Sequence, residues 1–168
     1  MCVLIDDLFQ AVRHLHQNQI LHRDIKPENI LKKNFESVSW ALGDFGMAID
    51  LKNEKVEIGA DGTKKYLPPE VVQNRLPHSK AADIWSCGAT LLNVLKNRFP
   101  ENDQKNIRSS QKSSYFYCST LPREINVILE NCLKLNKDRR PSASLVLHDY
   151  GLMKTSRSRR VILVDESK

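Results

Sequence analysis

Apolar residues recur every three or four positions along the first eighteen residues of the chain. Leu4, Leu8, Val12 and Leu15 follow this spacing, with polar residues between them. A period of about 3.6 residues predicts an amphipathic helix over Met1–Asn18. Two histidines near its end are two positions apart and therefore point to different sides of the helix, which argues against a shared metal site.

Three later stretches also predict helices. Ser79–Leu95 is the most apolar of them, with a serine that could cap its start and a carboxylate, Asp83, inside its first turns. A buried acid of this kind needs a partner. Helical spacing returns over Leu121–Leu135, and Pro141 suits the first turn of a final helix that ends near Tyr150.

Two short segments, NILKK and VSWALGDF, predict the strands of a small β-hairpin joined through Asn34–Ser37. The polar, weakly periodic stretch Ala48–Gly62 predicts a long loop, which in a compact domain is usually functional or mobile. Lys96–Ser119 predicts a loop with room for one short helix. These patterns predict a fold that is mainly α with a small β-hairpin.

The composition indicates a globular protein. The 168 residues are 40% hydrophobic and 27% charged, which suits one domain and is too apolar for wholesale disorder. No apolar run approaches the roughly 18 residues of a membrane span, and Asp6 and Asp7 interrupt the opening segment, so we expect neither membrane insertion nor secretion. The four cysteines are far apart without a CxxC pair, which favours buried reduced thiols and a cytoplasmic or nuclear protein.

The basic residues are concentrated at the end of the chain. Of the formal net charge of +6, half comes from residues 151–168, which include the segment SRSRR. This segment could be a nuclear-import or nucleic-acid-binding patch, but a solvated, poorly ordered tail is favoured. Binding of nucleic acid is not expected, because no aromatic stacking face accompanies the charge. We therefore divide the chain into a domain over 1–150 and a tail over 151–168.

Five motifs follow one another between residues 22 and 143. They are HRDIKPEN at His22–Asn29, DFG at Asp44–Gly46, GTKKYLPPE at Gly62–Glu70, DIWSCG at Asp83–Gly88 and RRPSA at Arg139–Ala143. A single three-residue match would arise by chance, but five in this order do not. Together they resemble the larger, C-terminal lobe of a eukaryotic-type protein kinase. The resemblance implies a kinase-like lobe over residues 1–150.

The resemblance also implies catalytic roles. Transfer of a phosphoryl group concentrates negative charge among phosphate oxygens, so catalysis is mostly positioning and electrostatic stabilisation. Asp24 would accept or orient the proton of the substrate hydroxyl, and Lys26 would reach the transferred phosphate. Asn29 and Asp44 would bind Mg²⁺ and, with it, ATP. Thr63 would lie against the acid and the lysine, as in the serine/threonine branch, whose substrates are protein Ser and Thr hydroxyls.

Other matched residues have structural roles in such kinases. Glu70 would pair with Arg140, and Asp83 would accept hydrogen bonds from the backbone of His22 and the residue after it. The ring of His22 would stack beneath Phe45 and would not take part in catalysis.

Two further residues bear on ligand binding. Leu31 resembles the apolar residue that forms the floor of the adenine pocket, but it could equally be ordinary core. Glu28 resembles an acid that receives a basic substrate residue in some kinases. It therefore predicts a preference for arginine upstream of the target serine or threonine.

Arg23 raises a question of regulation. An arginine beside the catalytic acid is typical of kinases whose activation loop is ordered by a phosphate, yet Phe45–Gly62 contains no serine, threonine or tyrosine. Our hypothesis is that Glu54, Glu57 or Asp61 supplies the negative charge instead. Upstream regulators remain possible partners.

The sequence departs from complete kinases in one large respect. It contains no G-x-G-x-x-G loop, no strand lysine of the VAIK type and no partner glutamate, the groups that hold the ATP phosphates from the smaller lobe. Two functions therefore stay open. One is a fragment of a serine/threonine kinase, weakly active or inactive by itself, and the other is a kinase-derived interaction or decoy module without catalysis.

Overall fold

The computed structural model describes residues 2–32, 39–53, 61–73, 76–96 and 120–151. Its helices are α1 (Cys2–Gln17), α2 (Pro69–Val72), α3 (Lys80–Lys96), α4 (Arg123–Cys132) and α5 (143–151). Its strands are β1 (Ile20–Leu21), β2 (Ile30–Lys32), β3 (Trp40–Leu42) and β4 (Ile49–Asp50). Single 3₁₀ turns lie at Pro27–Asn29 and Lys137–Arg139. The predicted class, mainly α with a small β-hairpin, is confirmed.

The core forms where α1, α3 and α4 meet. Phe9 of α1, Leu91 of α3 and Leu129 of α4 are completely buried in one apolar cluster. Each residue of this size contributes roughly 1.5–3 kcal/mol when it is fully buried. The predicted helices agree with the observed ones within a few residues, because burial of one face is what the apolar spacing encodes. Helix α3 lies at the centre, in contact with both other helices.

The predicted hairpin is present as the antiparallel pair β2 and β3, in which Leu31 lies opposite Ala41. The residues that join the strands, 33–38, lie outside the described residues. The backbone N–H of Trp40 donates to a carboxylate oxygen of Asp7 at 2.8 Å, which ties β3 to α1. The hairpin is therefore fixed to the helical core close to the polar loop before β2.

A second strand pair corrects the prediction of one continuous loop over Ala48–Gly62. Strands β1 and β4 pair antiparallel, with Leu21 opposite Ile49. Two-residue strands are too short to show an alternating pattern in the sequence, so the pairing could not be read from it. Residues 54–60 of the predicted loop, the stretch 97–119 and the basic tail after Gly151 lie outside the described residues.

Helix α2 was not predicted, because four residues that begin with a proline are too short to show helical spacing. Pro69 occupies the first turn, where a missing backbone N–H costs nothing. None of the helices within the described ranges combines the length and the apolar character that crossing a bilayer requires.

Candidate active site

Asp83 fixes the polar loop that follows β1. The carboxylate is 2% exposed and accepts backbone hydrogen bonds from His22 and Arg23, each at 3.0 Å. Nε2 of His16, at the end of α1, lies 2.9 Å from the same carboxylate. The buried acid therefore has the backbone partners that the resemblance implied, together with a histidine partner that sequence analysis did not identify.

Arg23 and the end of the second long loop are packed against each other. Arg23 has a φ of 68°, and its Nε donates to the carbonyl of Met47 at 2.7 Å. Gly62 has a φ of 98°, and a Cβ there would lie 2.4 Å from the carbonyl oxygen of Arg23. Only glycine fits so close an approach in this conformation. The segment that carries Thr63 is thereby placed directly over the loop that carries Asp24.

The guanidinium of Arg23 lies 3.4 Å from the carboxylate of Asp61, whose side chain is 51% exposed. Asp61 is one of the three acids named above as a substitute for an activating phosphate. The other two, Glu54 and Glu57, lie outside the described residues. An ion pair with one exposed partner is worth at most about 1 kcal/mol, so this contact orients the loop more than it stabilises the fold.

Three side chains form one hydrogen-bonded cluster, which we call the Asp24 cluster: Asp24, Lys26 and Thr63. The backbone N–H and the hydroxyl of Thr63 donate to one carboxylate oxygen of Asp24 at 2.9 and 2.7 Å. The ammonium of Lys26 donates to the other oxygen at 2.6 Å and to the Thr63 hydroxyl at 3.2 Å. The sequence brought these residues together only through the resemblance, since Thr63 is 39 positions from Asp24.

The charges of this cluster support one another. Burial of Asp24 by itself would raise its pKa, but hydrogen bonds from Lys26 and Thr63 outweigh that effect and hold the pKa below its usual value. The hydrogen bond to Asp24 raises the pKa of Lys26. Both groups are therefore charged at neutral pH, as a carboxylate and an ammonium.

Asn29 and Asp44 lie next to this cluster. The Asn29 amide nitrogen donates to the backbone carbonyl of Asp24 at 2.8 Å and to its carboxylate at 3.4 Å, which leaves the amide oxygen available as an acceptor. The N–H of Gly43 donates to the carbonyl of Asn29 at 2.9 Å, which brings the residue after it, Asp44, to the same place. Asp44 is exposed, with a φ of 60°, and one of its oxygens accepts from Gly46 at 3.3 Å.

This donor set fits Mg²⁺ and a nucleotide. Carboxylate and amide oxygens are the hard ligands that Mg²⁺ prefers, and the remaining positions are typically filled by water and substrate phosphates. Within the described ranges no group of three or more His, Cys, Asp or Glu side chains could hold a metal ion. Asn29 and Asp44 by themselves would leave the other ligand positions of such an ion to water and phosphate oxygens.

The apolar residues around this site are exposed on one side. His22 is completely buried, its Nε2 lies 3.0 Å from the carbonyl of Gly43, and its ring centroid lies 5.2 Å from that of Phe45. Phe45 itself is 50% exposed. Leu31 is 53% exposed, so the alternative that it is ordinary core is wrong. Its side chain lies against Gly43, where a Cβ would be 2.8 Å from it.

Glu70 and Arg140 form a buried bidentate ion pair, as the resemblance implied. The two oxygen–nitrogen distances are 2.6 and 2.8 Å, and the residues are 7% and 8% exposed. Arg140 also donates to three backbone carbonyls, and its guanidinium lies 4.8 Å from the ring centroid of Trp85. The pair joins α2 to the turn before α5.

Two supporting side chains of α3 were missed. The Ser86 hydroxyl donates to the carbonyl of Tyr66 at 3.0 Å, and the Thr90 hydroxyl donates to the carbonyl of Ile25 at 3.2 Å. With Asp83 they stand at i, i+3 and i+7, so one buried face of an otherwise apolar helix is polar. These polar residues at helical spacing are visible in the sequence. They would have identified α3 as the helix that positions the loop of Ile25 and the loop of Tyr66.

The order of these elements and the site that they form define a domain of the protein kinase class. A family model described as the protein kinase domain matches residues 2–150. The chain belongs to the protein kinase family.

Several kinases of known name are similar to this chain. Serine/threonine-protein kinase nekl-2 of Caenorhabditis elegans is 34% identical over 146 residues, which cover 83% of this chain and 40% of that protein. The calcium/calmodulin-dependent protein kinase type II alpha chain of Drosophila melanogaster is 34% identical over 152 residues, 85% of this chain and 28% of that protein. The membrane-associated tyrosine- and threonine-specific cdc2-inhibitory kinase wee-1.3 of Caenorhabditis elegans is 48% identical over 87 residues, which cover 51% of this chain and 12% of that protein. The chain spans 40% or less of the length of these relatives.

Proposed function

We propose that this chain carries the catalytic loop and the magnesium-binding residues of a kinase that transfers the γ-phosphoryl group of ATP to serine or threonine hydroxyls of proteins. The observation that carries the proposal is the Asp24 cluster, in which one carboxylate is hydrogen-bonded to Lys26 and Thr63. The contact with Thr63 and the position of Lys26 favour serine and threonine over tyrosine. The relatives bear names of both kinds, since one is tyrosine- and threonine-specific.

Each residue of the cluster has a defined task in this proposal. Asp24, ionised at neutral pH, accepts a hydrogen bond from the substrate hydroxyl and takes its proton as the oxygen attacks phosphorus. Lys26 places a positive charge beside the oxygens on which negative charge develops. Thr63 keeps the carboxylate and the ammonium at a fixed separation. Phe45 and Leu31 offer exposed apolar surface, Leu31 for the adenine ring.

Asn29 and Asp44 would hold Mg²⁺, which supplies charge neutralisation on the ATP phosphates when bound. The amide oxygen of Asn29 is oriented by the two hydrogen bonds that its nitrogen donates to Asp24. The exposed carboxylate of Asp44 would supply the second protein ligand.

Catalysis and binding can be tested separately. We expect Asp24→Asn in the full chain to lower the rate of phosphate transfer from ATP to a serine/threonine peptide library by at least about 100-fold, because proton transfer contributes roughly that much. Binding of ATP in the presence of Mg²⁺ should be retained. Asp44→Ala should instead abolish the part of ATP binding that depends on Mg²⁺. Asp138→Asn, an exposed acid far along the chain, is the matched control. Where the parent chain transfers phosphate at a measurable rate, an equal rate for Asp24→Asn would contradict the proposal.

A second function is favoured by a different observation. Phe45 and Leu31 are both about half exposed, and exposed apolar surface of this kind suits the binding of another protein. A module of this kind could bind kinase substrates or regulators without catalysis. This function would be favoured over the first if the chain bound ATP in the presence of Mg²⁺ and bound a peptide of the library, but transferred no measurable phosphate.

Two finer features of the proposal concern substrate and location. Glu28 is exposed next to Lys26, and we propose that it receives a basic residue upstream of the target hydroxyl. A library without enrichment of arginine at any upstream position would remove that part. We also propose a cytoplasmic or nuclear location, which is supported by Cys87 and Cys132, both free and buried.

A further inference from the structure

A cavity of about 490 Å³ lies on the helical side of the molecule, where the end of α1, the start of α3 and the start of α5 come together. The residues that line it include none of the Asp24 cluster and neither Asn29 nor Asp44. Its volume is within the range of about 300–1,000 Å³ that is usual for sites of small organic ligands.

The lining of this cavity is cationic. It includes Arg13, Lys80 and Arg140, and none of the described residues that line it is an aspartate or a glutamate. Arg140 is already neutralised by Glu70. Among the described residues, Arg13 has no ion pair, and the ammonium of Lys80 is bound only to the neutral amide of Gln19 at 2.8 Å. Two positive charges thus face the cavity without a counter-charge from the described part of the chain.

The neutral polar groups add hydrogen-bond donors to these charges. The amide oxygen of Gln19 accepts from Lys80, so its NH₂ group is the part left to bind a ligand. The hydroxyl oxygen of Ser142 accepts from the N–H of Leu145 at 3.2 Å, so its proton stays available to donate. A ligand that matches this cavity must carry negative charge and several acceptor oxygens.

We propose that this cavity binds a phosphate monoester, with Arg13 and Lys80 as the charged contacts and Gln19 and Ser142 as neutral donors. A monoester presents up to three acceptor oxygens and nearly two negative charges at pH 7, and guanidinium and ammonium groups bind such oxygens with charge-assisted hydrogen bonds. The cavity is many times larger than the roughly 30 Å³ of one water molecule, so there is room for the organic group that bears the phosphate. This site is independent of the function proposed above.

The test is titration of the full chain, observed by amide NMR shifts, with O-phosphoserine, a phosphoserine hexapeptide and inorganic phosphate as probes. We expect both esters to shift amides near Arg13, Lys80 and Ser142, with affinity that falls as salt is added. The double variant Arg13→Gln/Lys80→Gln should bind at least about tenfold more weakly, since hydrogen bonds to charged groups are the strong ones. Lys80→Arg should restore much of the loss caused by Lys80→Gln.

The control variant Arg123→Gln/Lys137→Gln also removes one arginine and one lysine, but neither residue lines the cavity. It should bind both esters as tightly as the parent chain. Tighter binding of the hexapeptide would identify a phosphorylated chain as the source of the ester, and equal binding would identify a small molecule. The proposal is overturned if the shifts are confined to the Asp24 cluster, if only inorganic phosphate binds, or if the control loses as much affinity as the cavity variant. Catalytic activity plays no part in these readouts.

Discussion

Asp83 of α3 and Asp24 of the loop after β1 are both buried carboxylates, yet their surroundings differ. Asp83 is 2% exposed and receives two backbone N–H groups and a histidine nitrogen, all from within the fold. Asp24 is 7% exposed, and one of its partners, Lys26, has a side chain that is 21% exposed. The first carboxylate is enclosed by its partners, whereas the second is bound to groups that reach the surface.

This difference agrees with a structural role for Asp83 and with the catalytic role that we propose for Asp24. The hydrogen bonds of Asp83 and of the Glu70–Arg140 pair hold backbone segments together and leave no room for a substrate. The hydrogen bonds of Asp24 hold its negative charge in place, and they leave the carboxylate accessible to a substrate. The left-handed φ of Asp44, 60°, is in the same open region, and strain of this kind is commonly tolerated at functional sites. We therefore expect variants of the enclosed group to lose stability and variants of the open group to lose activity.

The largest loss of stability is expected for Arg140→Ala. The substitution leaves Glu70 as an unpaired charge that is only 7% exposed, and breaking a buried pair in this way costs about 3–5 kcal/mol. For a chain of this size that corresponds to a fall in Tm of roughly 6–20 °C. Thermal unfolding followed by circular dichroism measures it.

Arg139→Ala is the matched control for this variant, because the neighbouring arginine is exposed and should tolerate the change. If Arg140→Ala melts within a degree or two of the parent chain, the pair is not part of what holds α2 against the core, and the comparison fails on its structural side.

Asp83→Asn should have the next largest effect. The amide keeps one acceptor oxygen but turns an NH₂ group toward a backbone N–H of His22 or Arg23, so one buried donor loses its partner. We expect a loss of about 2–3 kcal/mol in the free energy of unfolding, measured by urea denaturation. Hydrogen exchange should show the amides of these two residues opening more readily, while the amides of α4 are unchanged.

The exposed Asp138 provides the control, since Asp138→Asn removes an equal charge without a buried donor. A loss for Asp83→Asn no larger than that of the control would mean that the carboxylate is replaceable, and the enclosed group would no longer differ from the open one.

The sequence predicted the helices of the core but not the contacts that build the site. Apolar spacing identified α1, α3 and α4 because burial of one face leaves a periodic trace. No local pattern connects Asp24 with Thr63, 39 positions away, and only the resemblance brought them together. The exposure of Leu31 could not be read either, since an apolar residue in a short strand is equally consistent with core.

The pairing of β1 with β4 and the contact of His16 with Asp83 were missed for related reasons. A two-residue strand gives no alternation, and a lone histidine on a helix gives no sign of its partner. Asp61 was named as one of three possible partners of Arg23, and the structure brings it to 3.4 Å. Long-range geometry of this kind depends on the packing of loops against α3, which the sequence encodes only as a polar stripe.

The smallest effect on stability is expected for Asp24→Asn, and it should depend on pH. Because hydrogen bonds lower the pKa of Asp24 below the ordinary value of 3.8 in the folded state, the carboxylate stabilises the fold above that pH. This contribution is lost as the pH falls through the lower folded pKa, where the group is protonated in both states. The difference between Asp24→Asn and the parent should therefore be about 1 kcal/mol at pH 7, and it should shrink toward zero below about pH 4.

Urea denaturation of both chains between pH 7 and pH 3 measures this convergence, with Asp138→Asn as a reference whose offset should stay flat. A difference that grows on acidification would mean that the folded state raises the pKa of Asp24, so that the proton is held near neutral pH and Lys26 is not its dominant partner. Asp24 would then be a poor proton acceptor at the start of the reaction. The comparison with Asp83 would then no longer support Asp24 as the catalytic acid.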